Sequence, residues 1–378
     1  MKTVVIAGYA RSPFTPAKKG DLAAVRPDEL AAQVVRELVR RTGVKPADLE
    51  DLILGCAFPE GEQGLNMARL VGLLADLPLA MGGVTVNRFC GSSMQAVHMA
   101  AGAIQMEAGD AFLCAGVESM TRVPMLGFNP LPHPGLYAKM PAAYIGMGET
   151  AENVASRWDI ARREQERFAL QSQQRAAAAQ TSGRFKDEIV PIVAGNRSIE
   201  ADGCLRPETS LEGLAELKPA FDQNGSVTPG TASPFTDGAA ALLVCSADYA
   251  AKHGLEPLAR LRSIAVSGCQ PEVMGIGPVA ASIKALRRAG IEAKDLDVVE
   301  LNEAFAAQAI ACLRELDLDE AKVNIDGGAI ALGHPLGATG ARIVGKAAAL
   351  LKRQGGRYAL ATQCIGGGQG IATVLEAA

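Results

Sequence analysis

Apolar residues recur at helical spacing over Leu30, Val34, Val35, Leu38 and Val39, behind a Pro27-Asp28 start. A run of apolar residues then ends the segment GVKPADLEDLIL, residues 43–54. The same order returns later in the chain. Ile283 and Leu286 follow Pro278 at helical spacing, and GIEAKDLDVVEL occupies residues 290–301, at an offset of 247. An internal repeat of this kind predicts two equivalent halves.

The agreement continues downstream. After Cys90 the small-residue stretch Gly91–Met106 predicts a helix, followed by a Gly-Asp turn and a strand over Ala111–Ala115. After Gly340 comes a second such helix, then Gly355-Gly356 and a strand over Tyr358–Thr362. A last strand closes each copy, Ala239–Cys245 and Ile371–Leu375. Between the last two strands of the second copy stands a short glycine turn, Gly366-Gly367-Gly368. In the first copy Ser119–Ala232 intervenes, carrying nine of the twenty prolines and a polar, alanine-rich helix over Glu164–Gln180, ended by Gly183. Strands alternating with helices predict an α/β fold with mixed sheets covered on both faces. The expected organisation is an N-terminal half over 1–248, holding a loop insert at about 119–232, and a C-terminal half over 259–378.

Composition narrows the function. The 378 residues are nearly half apolar and the net charge is −4, which gives no basic footprint for nucleic acid. No apolar run reaches membrane-spanning length. The N-terminal stretch, Met1-Lys2 and then Val4–Ala7, reads as a strand too short for a signal-peptide core. The eight cysteines are irregularly spaced in a large chain, with no Cys-x-x-Cys and four scattered histidines. Reduced thiols in a cytoplasmic protein fit this better than a disulfide framework or a zinc site.

Four segments carry candidate chemistry. Cys90, in VNRFCGSS, stands between a strand and a helix, where the helix dipole and free N–H groups favour a thiolate of lowered pKa. His334, in GGAIALGHPLG, sits on a tight turn between glycine and proline, open to a ligand and suited to take a proton. Cys364 precedes Gly366-Gly367-Gly368, whose backbone permits close approach and an array of N–H donors. Asn302-Glu303-Ala304-Phe305 replaces Gly55-Cys56-Ala57 of the first copy, bringing polar residues to the end of an apolar strand. Each segment alone reads equally as a core cysteine, a backbone-bonded turn histidine or a helix N-cap. Gly340 to Ala347 is a near P-loop without its final Ser/Thr, and the 366–370 glycines open no helix, so neither predicts nucleotide binding.

Together, VNRFCGSSMQA, NEAFAAQ, GGAIALGHPLGATG and CIGGGQG resemble the four active-site blocks of the thiolase family, in order, over essentially the whole chain. The resemblance implies the thiolase fold and a residue-by-residue carry-over. Cys90 matches the cysteine that becomes acylated. His334 matches the histidine that activates it and holds the thioester oxygen, and Asn302 the asparagine that positions a water in that oxyanion hole. Cys364 matches the acid/base at the α-carbon of acetyl-CoA. The N–H groups of Cys90 and Gly366 match a second oxyanion hole. Ser233 matches a serine of the coenzyme A channel, while Met147, Phe221, Ala304 and Phe305 match positions around the pantetheine and acyl group.

Acetoacetyl-CoA-forming members carry histidine before the methionine matched by Met147, where this chain has Gly146, and Asn-Ala-Ser-Gly where it has Thr231-Ala232-Ser233-Pro234. Thr-x-Ser and the run PHPGL at 132–136 are more similar to the thiolase subunit of fatty-acid oxidation complexes. The resemblance therefore implies thiolytic cleavage of 3-ketoacyl-CoA, with medium chains handled at least as well as acetoacetyl-CoA. Coenzyme A is a substrate and no cofactor or metal is expected. A homodimer or homotetramer is expected, and a hydratase/dehydrogenase partner subunit enters by the same resemblance. The rivals are an acetoacetyl-CoA-forming thiolase, a ketoacyl-carrier-protein synthase and a non-catalytic lipid carrier. Cys364 and the NEAF block speak against the last two.

Overall fold

The computed structural model describes residues 2–378, so Met1 of the predicted N-terminal strand lies outside them. The chain runs β1 (Val4–Arg11), α1 (Pro27–Thr42), β2 (Asp51–Gly55), α2 (Met67–Leu74), β3 (Gly82–Val86), α3 (Ser92–Gln105) and β4 (Ala111–Ser119). The insert follows, with α4 (Met147–Arg157), α5 (Arg162–Thr181) and a small hairpin over 192–199. Then come β5 (Thr236–Ser246), β6 (Ala259–Gly268), α6 (Gly277–Ala289), β7 (Val298–Leu301), α7 (Ala306–Glu315), α8 (Leu336–Gln354), β8 (Tyr358–Ile365) and β9 (Gln369–Glu376).

The strand order is β3-β2-β4-β5-β1 in the first half and β6-β9-β8-β7 in the second. In each half the strands nearest the repeat segment are parallel and the last pairs antiparallel. The mixed sheets of the two halves meet edge to edge. Val5 pairs with Arg260 and Ile6 with Ala259, so β1 and β6 join the halves into one hydrogen-bonded sheet.

Helices α1 and α2 cover one face of the first half, where Leu30, Val34, Val35 and Leu38 pack on Leu52, Leu54, Leu113 and Leu243. Helices α3 and α8 lie between the two halves. Met94, Val97 and Ile104 meet Ile343, Val344 and Leu351, with Ile6 and Ile53 from one side and Val298 and Ile371 from the other. A Cβ on Gly340 would collide with the Met94 backbone, which is why this pair of helices is built from small residues. Helices α6 and α7 cover the far face. There the sequence reading needs correcting at Ile283, which is 54% exposed. The buried face of α6 is made by Ala281, Ser282, Ala285 and Leu286, because against this sheet small residues allow closer contact than a second large one.

Buried ion pairs anchor the insert to both halves. Arg11 of β1 grips Asp202 through both terminal nitrogens, at 2.7 and 2.8 Å, and Glu188 at 2.9 Å. Lys346 of α8 meets Glu188 at 3.0 Å and Asp326 at 2.9 Å.

Candidate active site

The nucleophile candidate sits on a forced turn. Phe89 takes a positive φ of 42° between β3 and α3, and Gly91 caps the helix. The Phe89 N–H donates to Asn87 Oδ1 at 2.8 Å, and the Arg88 N–H to Ser92 Oγ at 2.9 Å. Gln363 of β8 donates to the Cys90 carbonyl, locking the turn to the second half. The thiol differs from the expectation: burial pushes Cys90 up to about 11. The N–H groups of Gly366 and of Cys90 itself oppose this rise by pointing at the sulfur. Desolvation thus outweighs the helix terminus. Those two N–H groups are the pair expected to form the second oxyanion hole.

His334 stands in the turn between Gly333, at φ 101°, and α8. Its Nδ1 lies 2.6 Å from Thr339 Oγ1, which lies 3.0 Å from the Pro335 carbonyl. A carbonyl only accepts, so the threonine proton goes to Pro335 and the hydroxyl accepts from Nδ1–H. Nε2 is left as the acceptor, and the Asn302 amide N–H donates to it weakly at 3.4 Å. Burial, and secondarily the charge of Arg342, holds the imidazole at about 3, hence neutral. The His334 N–H donates to Thr236 Oγ1 at 3.1 Å, fixing the turn to β5.

Asn302 caps no helix: α7 begins at Ala306. Its side chain is fully buried, and Oδ1 has no partner within the protein. Glu303 holds the same loop by accepting from Ser172 Oγ at 2.6 Å, Asn324 Nδ2 at 2.8 Å and the Ile330 N–H at 3.1 Å. Cys364 ends β8 and is 1% exposed, and burial drives its thiol well above the ordinary value. Gly367 and Gly368 take φ of 79° and 84°, the left-handed values this β8–β9 turn requires.

These elements converge on a cavity of about 380 Å³ lined by Cys90, His334 and Cys364 together with Met147, Phe221, Ser233, Ala304 and Phe305. Asn302 lies just behind it, touching His334. The Ser233 N–H donates to the Ala304 carbonyl at 3.0 Å, and Phe221 packs edge-on against Phe305 at 5.9 Å. The sequence reading missed Thr339, Thr236 and Glu118. Glu118, fully buried at the end of β4, accepts from the N–H groups of Ala57 at 2.8 Å and Gly337 at 2.9 Å and from Gln63 at 2.8 Å. An acidic residue closing the apolar run AFLCAGVE was the available signal for it. Thr339 and Thr236 leave no comparable mark, since threonine is common in helices and strands.

The cavity brings together a thiol, a neutral imidazole, a second thiol and two N–H donors, and among the described residues Glu149 is the one charged side chain lining it. That set suits acyl transfer through a thioester.

Comparison with known proteins agrees. The family described as thiolase, N-terminal domain, matches residues 4–248, and thiolase, C-terminal domain, matches 255–377. The chain is 46% identical to the 3-ketoacyl-CoA thiolase of Bacillus subtilis (strain 168), with all of both chains covered. It is 48% identical to that of Vibrio cholerae serotype O1 (strain ATCC 39541 / Classical Ogawa 395 / O395), again over both full lengths. The crystal structure of human mitochondrial 3-ketoacyl-CoA thiolase superimposes with a TM-score of 0.92 at 39% identity, covering 100% of this chain and 99% of that one. A structure of the same human enzyme in complex with CoA matches equally well, with 98% of that chain covered. The duplicated halves, the glycine turn beside Cys364 and the full-length matches lead to one assignment: the chain belongs to the thiolase family.

Proposed function

We propose that this chain is a 3-ketoacyl-CoA thiolase, which uses coenzyme A to release acetyl-CoA from 3-ketoacyl-CoA and leaves a shortened acyl-CoA. The observation that carries the reading is that Cys90, His334 and Cys364 open onto one apolar cavity in a chain that aligns end to end with 3-ketoacyl-CoA thiolases.

Cys90 Sγ attacks the 3-keto carbon while its proton passes to His334 Nε2. The ordinary ion pair does not form at rest, because the thiol stays protonated to about 11 and the imidazole neutral down to about 3. Proton transfer therefore accompanies attack. The C2–C3 bond breaks, its electron pair leaves on acetyl-CoA as the enolate, and Cys364 protonates that carbon. Coenzyme A then gives its thiol proton to the Cys364 thiolate and attacks the acyl-Cys90 carbonyl, whose oxygen rests on the N–H groups of Cys90 and Gly366; the C–S bond to Cys90 breaks, and its sulfur takes back the proton held by His334. The other oxyanion site uses His334 Nε2 and a water held by Asn302, whose unpartnered Oδ1 fits that role. Run backwards, the same steps are a Claisen condensation.

Two features favour chains longer than acetoacetyl. A Cβ on Gly146 would meet only Glu149, at 3.8 Å, leaving space beside Met147. Four methionines and three phenylalanines are among the residues lining the cavity. The reading places the enzyme in cytoplasmic fatty-acid β-oxidation. It also includes a homo-oligomer, supported by the unpaired edge of β3 and the exposed Leu65 and Leu79 beside it. The test is kcat/KM for thiolysis of acetoacetyl-CoA against a medium-chain 3-ketoacyl-CoA. Comparable or better use of the medium chain is expected. A strong preference for acetoacetyl-CoA restores the biosynthetic alternative. Coenzyme A binding with no acyl-Cys90 under any condition replaces the enzyme with a carrier.

A further inference from the structure

The Cys90 and Gly366 N–H groups, which both face the Cys90 sulfur, come from different halves of the chain. Cys90 lies on the turn into α3, and Gly366 opens the glycine turn between β8 and β9. Two turns so far apart in sequence keep a fixed spacing only where a contact ties them together. Arg88 supplies one. Its Nη1 donates to Gln369 Oε1 at 2.7 Å, and its Nε to Gln95 Oε1 at 2.9 Å. Gln369 begins β9, and Gln95 lies in the first turn of α3. We propose that Arg88 is a positioning residue for acyl transfer: through Gln369 it sets the spacing of the two N–H groups that hold the oxygen of acyl-Cys90.

The inference rests on the thiolytic reading and follows from what each end of the tie is fixed to. The Arg88 N–H donates to Ser92 Oγ at 2.9 Å, so its backbone belongs to the Cys90 turn. The Gln95 N–H donates to the Gly91 carbonyl at 2.9 Å, which makes that post part of the same helix start. At the far end, a Cβ on Gly277 would collide with the Gln369 carbonyl, so Gln369 is pressed against the start of α6. It stands directly opposite Ile365 in the β8–β9 ladder, and Ile365 precedes Gly366. Holding Gln369 therefore holds Gly366 at one remove. The three glycines between them give the turn no side chain of its own to pack, and Gly367 is exposed. An outside tie is what such a turn lacks. Both acceptors of Arg88 are neutral amides, and the planar guanidinium reaches the two at once with charge-assisted hydrogen bonds. Gln363 makes a second tie, but to the Cys90 carbonyl and from within β8, short of the glycine turn. The other oxyanion site, His334 with Asn302, shares none of these contacts.

The test compares wild type with Arg88→Met, Gln369→Met, the double variant and Arg88→Lys. Acyl loading of Cys90 from acetyl-CoA is timed by rapid quench and mass spectrometry. Exchange of the acetyl-CoA α-proton with deuterated water is followed by NMR once loading has reached equilibrium. Loading passes through the oxygen site that Arg88 serves, whereas exchange uses Cys364 with His334 and Asn302. A misplaced donor costs about 10–100-fold, so Arg88→Met and Gln369→Met should each lower the loading rate and the kcat of thiolysis by that much. KM and melting temperature should barely move. The double variant should lose no more than the worse single variant, because one hydrogen bond carries the effect. Arg88→Lys keeps the charge and one donor, and should recover part of the loss. Exchange should stay at the wild-type rate throughout. Equal losses in loading and exchange overturn the inference, since they report general disorder of the site. So do additive losses in the double variant, or unchanged loading in both single variants. A raised KM with kcat intact also overturns it, by making Arg88 a binding charge for the substrate. Failure of wild type to load or exchange at all would instead remove the thiolytic reading itself.

Discussion

The two halves of this chain share a frame and differ at its ends. Strands β2 and β7 stand at the repeat offset, each between an outer helix and the central pair. After β2 the chain runs into Cys56-Ala57-Phe58, tied down by Glu118 at the end of β4. After β7 it runs into Asn302-Glu303-Ala304, tied down by Glu303 itself, which leaves Asn302 facing His334. Helix α3 begins at the turn holding Cys90, and α8 at the turn holding His334. Strands β4 and β5 are separated by the whole insert, whereas β8 and β9 are separated by three glycines beside Cys364. The duplicated core thus makes two equivalent rims. In the proposed mechanism one rim gives the Cys90 nucleophile and the insert beside it, and the other gives the His334 base, the Asn302 amide and the second thiol, Cys364.

Breaking this division at its centre should have the largest effect. Cys90→Ser should keep the fold, by circular dichroism and melting, and lower acyl transfer on the order of 10⁴-fold or more. Mass spectrometry after incubation with acyl-CoA should place the acyl group on Cys90. Its appearance on another cysteine would move the nucleophile. Cys364→Ala should separate the two rims chemically. Exchange of the acetyl-CoA α-proton with deuterated water should fall roughly 10²–10⁴-fold, while Cys90 still becomes acylated from a simple thioester. Exchange at the wild-type rate would make Cys364 structural.

The repeat, the insert and the four chemical segments were legible in the sequence because each leaves a pattern that local spacing or residue type records. The 247-residue offset follows apolar periodicity, and cysteine, histidine and asparagine stand out in glycine-rich turns. The supports were not legible. Thr339 earns its place through one hydrogen bond to His334, and Glu118 through N–H groups from residues far apart in sequence. Even the thiol's acidity was misread, because a helix start is visible locally whereas burial depends on β8, β9 and the insert. Ile283 fails for the same reason: helical spacing identifies a stripe but not its exact edge.

Smaller perturbations sharpen the comparison. Thr339→Val removes the acceptor for Nδ1–H and should cost about 10–100-fold in kcat/KM, with Thr339→Ser restoring most of it. Equal behaviour of the two variants would deny Thr339 its role in orienting His334. Glu118→Ala and Glu303→Ala strip the buried N–H groups of the two matching loops. Each should lower the unfolding free energy by about 1–3 kcal/mol, read by chemical denaturation. A loss in only one would show that the loops are not equivalent supports. The mildest test is pH. A thiol reacts as thiolate, which is populated only as pH approaches its pKa from below. With Cys90 raised to about 11, alkylation by iodoacetamide in the absence of substrate should climb through neutrality without a plateau below about pH 10. A plateau near neutral pH would mean the helix terminus prevails over burial.

Strand β1 lies in the middle of the sheet, between β5 and β6. The Ser12 hydroxyl just beyond it accepts from the Ala239 N–H, 227 positions later. On a ribosome adding about 5–20 residues per second, β1 waits on the order of tens of seconds for β5 and β6 to be made. Its apolar sequence, VVIAGYA, is exposed throughout that interval. Slower translation lengthens that exposure, and should lower soluble yield instead of raising it.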